Sequence, residues 1–168
     1  MAKNGIVLRT ADNILDEIDR LHHAVSRRAY DLFRNNGSGF GSAVADWLGA
    51  EHELVWRPAV ELRRKDGSYE VVAATAGVPA KDLDVQITPD DLLIKAAVDH
   101  RHAETEGDVQ ICEFEKGQLF RSVHFPERID PAKVTADYHD GLLRVTAPIA
   151  KPGATKITVE AAKAPEAA

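Results

Sequence analysis

The stretch Ala136-Asp137-Tyr138-His139-Asp140-Gly141-Leu142-Leu143-Arg144-Val145-Thr146-Ala147-Pro148 decides the fold. Asp140-Gly141 tolerates the positive φ angles that a two-residue hairpin turn needs. Beyond it, Leu143 and Val145 alternate with Arg144 and Thr146, the period of a strand with one buried face. Pro148 has no N–H to donate and stops the ladder. The segment predicts two antiparallel strands joined by a tight turn.

The same period runs from about Trp56 onward. Strands are predicted over residues 56–62, 68–76, 83–88, 92–98, 109–115, 118–125, 133–138, 142–147 and 156–160. Each carries alternating or continuous β-branched residues. Asp66-Gly67, Gly77-Val78-Pro79, Pro89-Asp90-Asp91, Pro131 and Asp140-Gly141 separate most of them. Many short strands with no long helix between them predict a mainly β chain, an immunoglobulin-like antiparallel β-sandwich. Aromatic residues are only 6%, so its core must be built from Val, Ile, Leu and Ala.

Upstream the period is helical. Ile14, Ile18, Leu21, Val25 and Leu32 share one face of a helix over residues 11–35, and Leu15 and Phe33 widen the stripe. Asp12 or Asn13 can cap its start, and Asp16 and Glu17 suit the dipole of its first turn. Asn35-Asn36-Gly37 ends it, and a Gly-rich break over residues 37–42 follows. A second helix is predicted over residues 42–54, with Val44, Trp47, Leu48 and Glu51 on one side. Two readings stay open: a helical cap packed on the main domain, or a mobile arm with a free apolar face. The chain divides into a helical N-terminal arm (1–55), a sandwich domain (56–149) and a C-terminal extension (150–168). The last residues, rich in Ala with Glu, Lys and Pro, predict a disordered, solubilising tail.

Composition narrows the function. The chain has 168 residues, 29% of them charged, and a formal net charge of −6. A general nucleic-acid or anionic-membrane binder needs a basic face instead. No apolar run approaches the roughly 20 residues that span a bilayer. Ile6-Val7-Leu8 is too short for a signal peptide. The single cysteine, Cys112, rules out an internal disulfide framework. These features lead us to expect a cytoplasmic protein. His22 and His23 point in different directions on a helix, and His100 and His102 have no partner at a recognisable ligand spacing. Gly37-Ser38-Gly39-Phe40-Gly41 lacks the Gly-Lys-Ser/Thr ending of a phosphate loop. Ser38, His139 and Asp140 form no triad recognisable from sequence, and no Cys-His signature surrounds Cys112. No catalytic residue, metal or cofactor is expected, so the chain does not read as an enzyme.

The segment 136–148 also resembles the signature that closes the conserved domain of the small heat shock proteins, the α-crystallin family. There an Ala, three variable residues, a Gly, an apolar-Leu pair and a terminal Pro recur. The resemblance covers residues 56–160. Pro58-Ala59-Val60-Glu61-Leu62 is similar to the domain's opening strand. Ala76-Gly77-Val78-Pro79 is similar to its Pro-Gly-Val turn, with Ala76 where proline is usual. Leu92-Leu93-Ile94-Lys95 is similar to its following strand. The segment 113–126 carries its Gly, Phe, Arg and Leu-Pro pattern, with Phe125 in place of the Leu. Arg27–Phe33 and Asp46–Leu54 resemble a short bacterial domain of unknown function, which implies a folded helical unit and no activity.

The family resemblance implies an ATP-independent chaperone, a holdase that keeps partly unfolded clients soluble under stress. Its partners would be those clients and copies of itself, first a homodimer and then a larger oligomer. Client-contact candidates are Ile14, Leu15, Ile18, Leu21, Phe33, Phe40, Trp47 and Leu48. Ile157-Thr158-Val159 is similar to the family's C-terminal tripeptide, which adds as an extended strand to a neighbouring subunit. By that analogy the receiving groove is walled by Val85, Ile87, Val134 and Ala136. Burial of Ile157 and Val159 there contributes about 1.5–3 kcal/mol each before ordering costs. The polar loop 99–108 and the strand after it imply a strand-exchanged dimer, with Val109, Ile111, Cys112, Phe114 and Arg121 at its interface. The alternative is a non-oligomeric adaptor or co-chaperone module on the same sandwich, recognising one protein partner.

Overall fold

The structure, a computed structural model, describes residues 5–35, 42–98, 110–111 and 117–151. The chain runs β1 (Val7–Thr10), α1 (Leu15–Asn35), α2 (Ser42–Leu54), β2 (Val55–Trp56), β3 (Val60–Lys65), β4 (Ser68–Ala74), β5 (Asp84–Ile87), β6 (Asp91–Val98), β7 (Gly117–His124), β8 (Thr135–His139) and β9 (Leu142–Pro148). Short 3₁₀ turns at Ala80–Asp82 and Pro131–Lys133 lead into β5 and β8.

Two Asp-Gly pairs build the four-stranded sheet, ordered β3-β4-β9-β8. Asp66 and Gly67 take φ of 49° and 74°, and Asp140 and Gly141 take 51° and 77°. Positive φ at both turn residues is the type I′ geometry, whose twist matches the flanking strands. The turns set Lys65 opposite Ser68 and His139 opposite Leu142. The predicted hairpin is therefore present, with the two-residue Asp140-Gly141 turn that the sequence implies.

The five-stranded sheet is ordered β1-β5-β6-β7-β2. Its centre is antiparallel, but β1 pairs with β5 and β2 with β7 in parallel. The sandwich is thus mixed at its rims. Its rim strands arrive from the helical part of the chain rather than through a hairpin, so either direction is open to them. The strand predicted over residues 56–62 is split for the same reason. Val55–Trp56 joins one sheet and Val60–Lys65 the other, with buried Pro58 between them. Of the predicted 109–115 strand, only Gln110 and Ile111 are described, and neither is in a strand. The predicted 156–160 strand lies outside the described residues.

The core sits between the sheets. Val71 and Ala73 of β4 and Leu143, Val145 and Ala147 of β9 meet Val85, Ile87, Leu92, Ile94 and Leu119 from the other sheet. Alternation sends Leu93 and Phe120 to the opposite face, where both are also buried. That second face is covered by the helices.

Candidate protein-binding surfaces

The helical segment is a layer on the sandwich, the first of the two readings that the sequence left open. Asn13 caps α1, its Oδ1 accepting from the Leu15 N–H at 2.7 Å. Ile14, Val25 and Ala29 from the first helical segment and Ala50 from α2 are buried with Leu93 and Phe120, and Ile18, Leu21, Leu32 and Trp47 pack beside them. Gly117 opens β7 with φ +97°, and a Cβ there would stand 2.5 Å from the Leu54 carbonyl oxygen. Only glycine lets the end of α2 approach β7 so closely.

Ion pairs fasten the layer. Glu17 on α1 meets Lys95 Nζ on β6 at 2.8 Å. The Lys95 ammonium holds the Glu17 carboxyl below its ordinary 4.5, against the opposing push of burial. Arg28 on α1 meets Glu53 on α2 at 2.6 Å, tying the helices together. The Arg28 guanidinium lowers the Glu53 carboxyl as well.

The client-contact candidates fall into four groups. Leu15 and Leu48 are open to solvent at 60% and 58% exposure. Tyr30 and Val44, which the sequence reading did not select as client contacts, are exposed as well. Ile18, Leu21, Phe33 and Trp47 are half-buried and Ile14 is buried, while Phe40 lies outside the described residues. A cavity of about 600 Å³ opens between the helical layer and the sheet, and Ile18, Leu21, Trp47, Phe120 and Arg57 line it. The His22 ring stands 5.1 Å from that of Trp47 at its wall.

The four groove residues Val85, Ile87, Val134 and Ala136 do come together, all buried in one cluster. The edge of β5 beside them is already taken. β1 lies along it, with Ile6 only 6% exposed and Leu8 packed on the same cluster. The sequence reading missed this strand. Its one signal is the apolar run Ile6-Val7-Leu8, too short to count as an element by period alone.

Of the dimer-interface candidates, Val109, Cys112 and Phe114 lie outside the described residues. Ile111 is 81% exposed. Arg121 stands opposite Ile94 on the strand ladder, and its Nε is buried with no hydrogen-bond partner. The loop histidines His100 and His102 and the residues Ile157 and Val159 also lie outside the described residues. No helix is long and apolar enough to cross a membrane among the described residues.

Comparison with known proteins agrees with this architecture. Residues 61–161 match the Hsp20/alpha crystallin family. The chain is 27% identical over 118 residues to the probable 15 kDa heat shock protein of Leptospira interrogans, covering 70% of this chain and 89% of that one. It is 25% identical over 156 residues to small heat shock protein C2 of Rickettsia felis, covering 93% of this chain and 96% of that one. The solved structure of heat shock protein 16.0 from Schizosaccharomyces pombe aligns at 25% identity with a TM-score of 0.53, over 63% of this chain and 98% of that one. A small heat-shock protein from Xylella fastidiosa shares the fold at 22% identity with a TM-score of 0.52, over the same shares of the two chains. Fold and sequence point one way, and the chain belongs to the Hsp20/alpha crystallin family, that of the small heat shock proteins.

Proposed function

We propose that this protein is an ATP-independent holdase of the cytoplasm. It binds partly unfolded proteins through apolar surface and keeps them from aggregating. The observation that carries this reading is the set of bare apolar side chains Leu15, Tyr30, Val44 and Leu48 on the helical layer. A client exposes apolar area when it unfolds, and burying that area against these side chains lowers the free energy of both. The half-buried residues Ile18, Leu21 and Trp47 extend the surface when the layer loosens, a population shift toward an open form. No turnover, metal or cofactor enters the reading.

Assembly belongs to the same proposal. The exposed Ile111 and the buried, unpartnered Nε of Arg121 support a dimer contact through the segment 109–115 and β7. Ile157 and Val159 would link dimers into a larger oligomer.

Removing residues 1–55 is a poor test, because it also strips the cover from Leu93 and Phe120 and creates new apolar surface. The cleaner variant is Leu15→Ser with Leu48→Ser, both at exposed positions where surface changes cost within about 0.5 kcal/mol of stability. With a heat-labile client followed by light scattering, this variant is expected to give weaker protection at equal concentration. Undiminished protection with the native fold retained would overturn the helical layer as the client surface. An intact chain that protects no client and runs as a monomer would instead favour the single-partner adaptor.

A further inference from the structure

The cavity between the helical layer and the sheet has a graded lining. Val25, Val55 and Phe120 line it from buried positions, with Leu21 half-buried beside them. His22, Arg57 and Ser122 line it from exposed positions. Buried side chains form the inner part of a cavity and exposed ones its mouth, so this cavity is apolar inside and polar at the opening. Its volume of about 600 Å³ lies in the range of small-molecule sites, which are mostly apolar with a few convergent polar groups.

Charge gives the cavity a sign. The whole chain carries a formal −6. The described lining instead carries two arginines, Arg57 and Arg121, against one carboxylate, Glu51. Arg57 already pairs with Glu51, and those two charges offset each other. Arg121 is left as the net cation, its Nε buried with no hydrogen-bond partner among the described residues. A buried N–H without an acceptor is costly. Turning the side chain toward an anion in the cavity gives up no bond at Nε and gains a charge-assisted one. The guanidinium carries five N–H donors, so an anion at Nε leaves others for the dimer contact proposed above.

We propose that this cavity binds an amphiphilic carboxylate, a molecule of the fatty-acid class. Its acyl chain lies against Val25, Val55 and Phe120, and its carboxylate lies between Arg57 and Arg121. This goes beyond the holdase reading and does not rest on it. The walls come from α1, α2, β2 and β7 of one chain. An occupant that touches the helices and the sheet at once binds the closed layer better than a loosened one. It therefore shifts the population toward the closed form.

Dodecanoate, kept below the concentration at which it forms micelles, is the probe, titrated by calorimetry into the full chain. One saturable site per chain is expected. Decanoate, shorter by two CH₂ groups, is expected to bind about tenfold more weakly, because each buried CH₂ contributes roughly a factor of four. Glu51→Gln frees Arg57 and should tighten binding about threefold, whereas Arg57→Gln leaves Glu51 unpaired and should weaken it by about the same factor. Arg121→Lys keeps the charge but has no Nε, and should bind about tenfold more weakly. Ser122→Phe, at an exposed position, should block the mouth and abolish binding with the circular dichroism unchanged. Dodecanol binding as tightly as dodecanoate, or Glu51→Gln and Arg57→Gln shifting affinity the same way, would overturn recognition of the carboxylate. Undiminished binding by Ser122→Phe would overturn the cavity as the site. Assemblies that fall to monomers as dodecanoate saturates would overturn the small ligand in favour of a partner subunit's carboxylate as the occupant.

Discussion

At the scale of single residues, Asp66-Gly67 and Asp140-Gly141 were fully legible in the sequence. A type I′ turn is dictated by local torsion alone, and few residue pairs accept positive φ twice running. What the sequence did not show is that the two glycines differ. A Cβ on Gly141 would lie 2.9 Å from the Ala76 Cβ, whereas nothing stands within 4 Å of one on Gly67. Gly67→Ala is therefore expected to cost about 1–2 kcal/mol, the penalty of a left-handed conformation. Gly141→Ala carries that penalty plus a steric clash, and its urea midpoint should fall further. Equal midpoints would show that the Ala76 contact relaxes freely. Arg121 illustrates the opposite case. Its residue type and place on the strand were readable, but its buried, unpartnered Nε depends on atoms that come from elsewhere in the fold.

At the scale of elements, legibility followed how local each cause is. The amphipathic stripe and cap of α1 were readable because both lie within one helix. Where that helix packs was not, because packing is decided by a partner far away in sequence. One signal was present: the unbroken run Leu92-Leu93-Ile94, too apolar for a strand with one wet face. Leu93 is buried under the helices while Leu92 and Ile94 face the sandwich core. β1 and β2 stayed hidden because strands of four and two residues carry too little period to stand out. The contact of Glu17 with Lys95 gives the helical layer a pH dependence. A carboxyl whose folded value is lowered adds stability that is fully present above its unfolded value and is lost as pH falls through the folded one. The layer should therefore be firmest at neutral pH and loosen below about pH 4.5, the ordinary value of Glu17. Glu17→Gln removes the pair. Its deficit in urea midpoint against the unmodified chain should be largest at neutral pH and close in acid. A deficit that persists unchanged in acid would show that the pair does not hold the layer.

At the scale of the whole molecule, two kinds of contact with unequal strength would set the assembly. The proposed dimer contact joins strands through a run of residues, while the proposed link between dimers rests on two side chains, Ile157 and Val159. Each contributes about 1.5–3 kcal/mol of burial before ordering costs, so one link alone is weak and reversible. Linked dimers raise the effective concentration of every remaining link, so several weak contacts hold together. Ile157→Ala with Val159→Ala removes most of the apolar burial at each link and should therefore act steeply. The expected outcome is collapse of the oligomer to dimers, read as mass by light scattering, with the fold unchanged by circular dichroism. Full-sized assemblies from this variant would place the link elsewhere in the chain. Monomers would show that the C-terminal segment also holds the dimer.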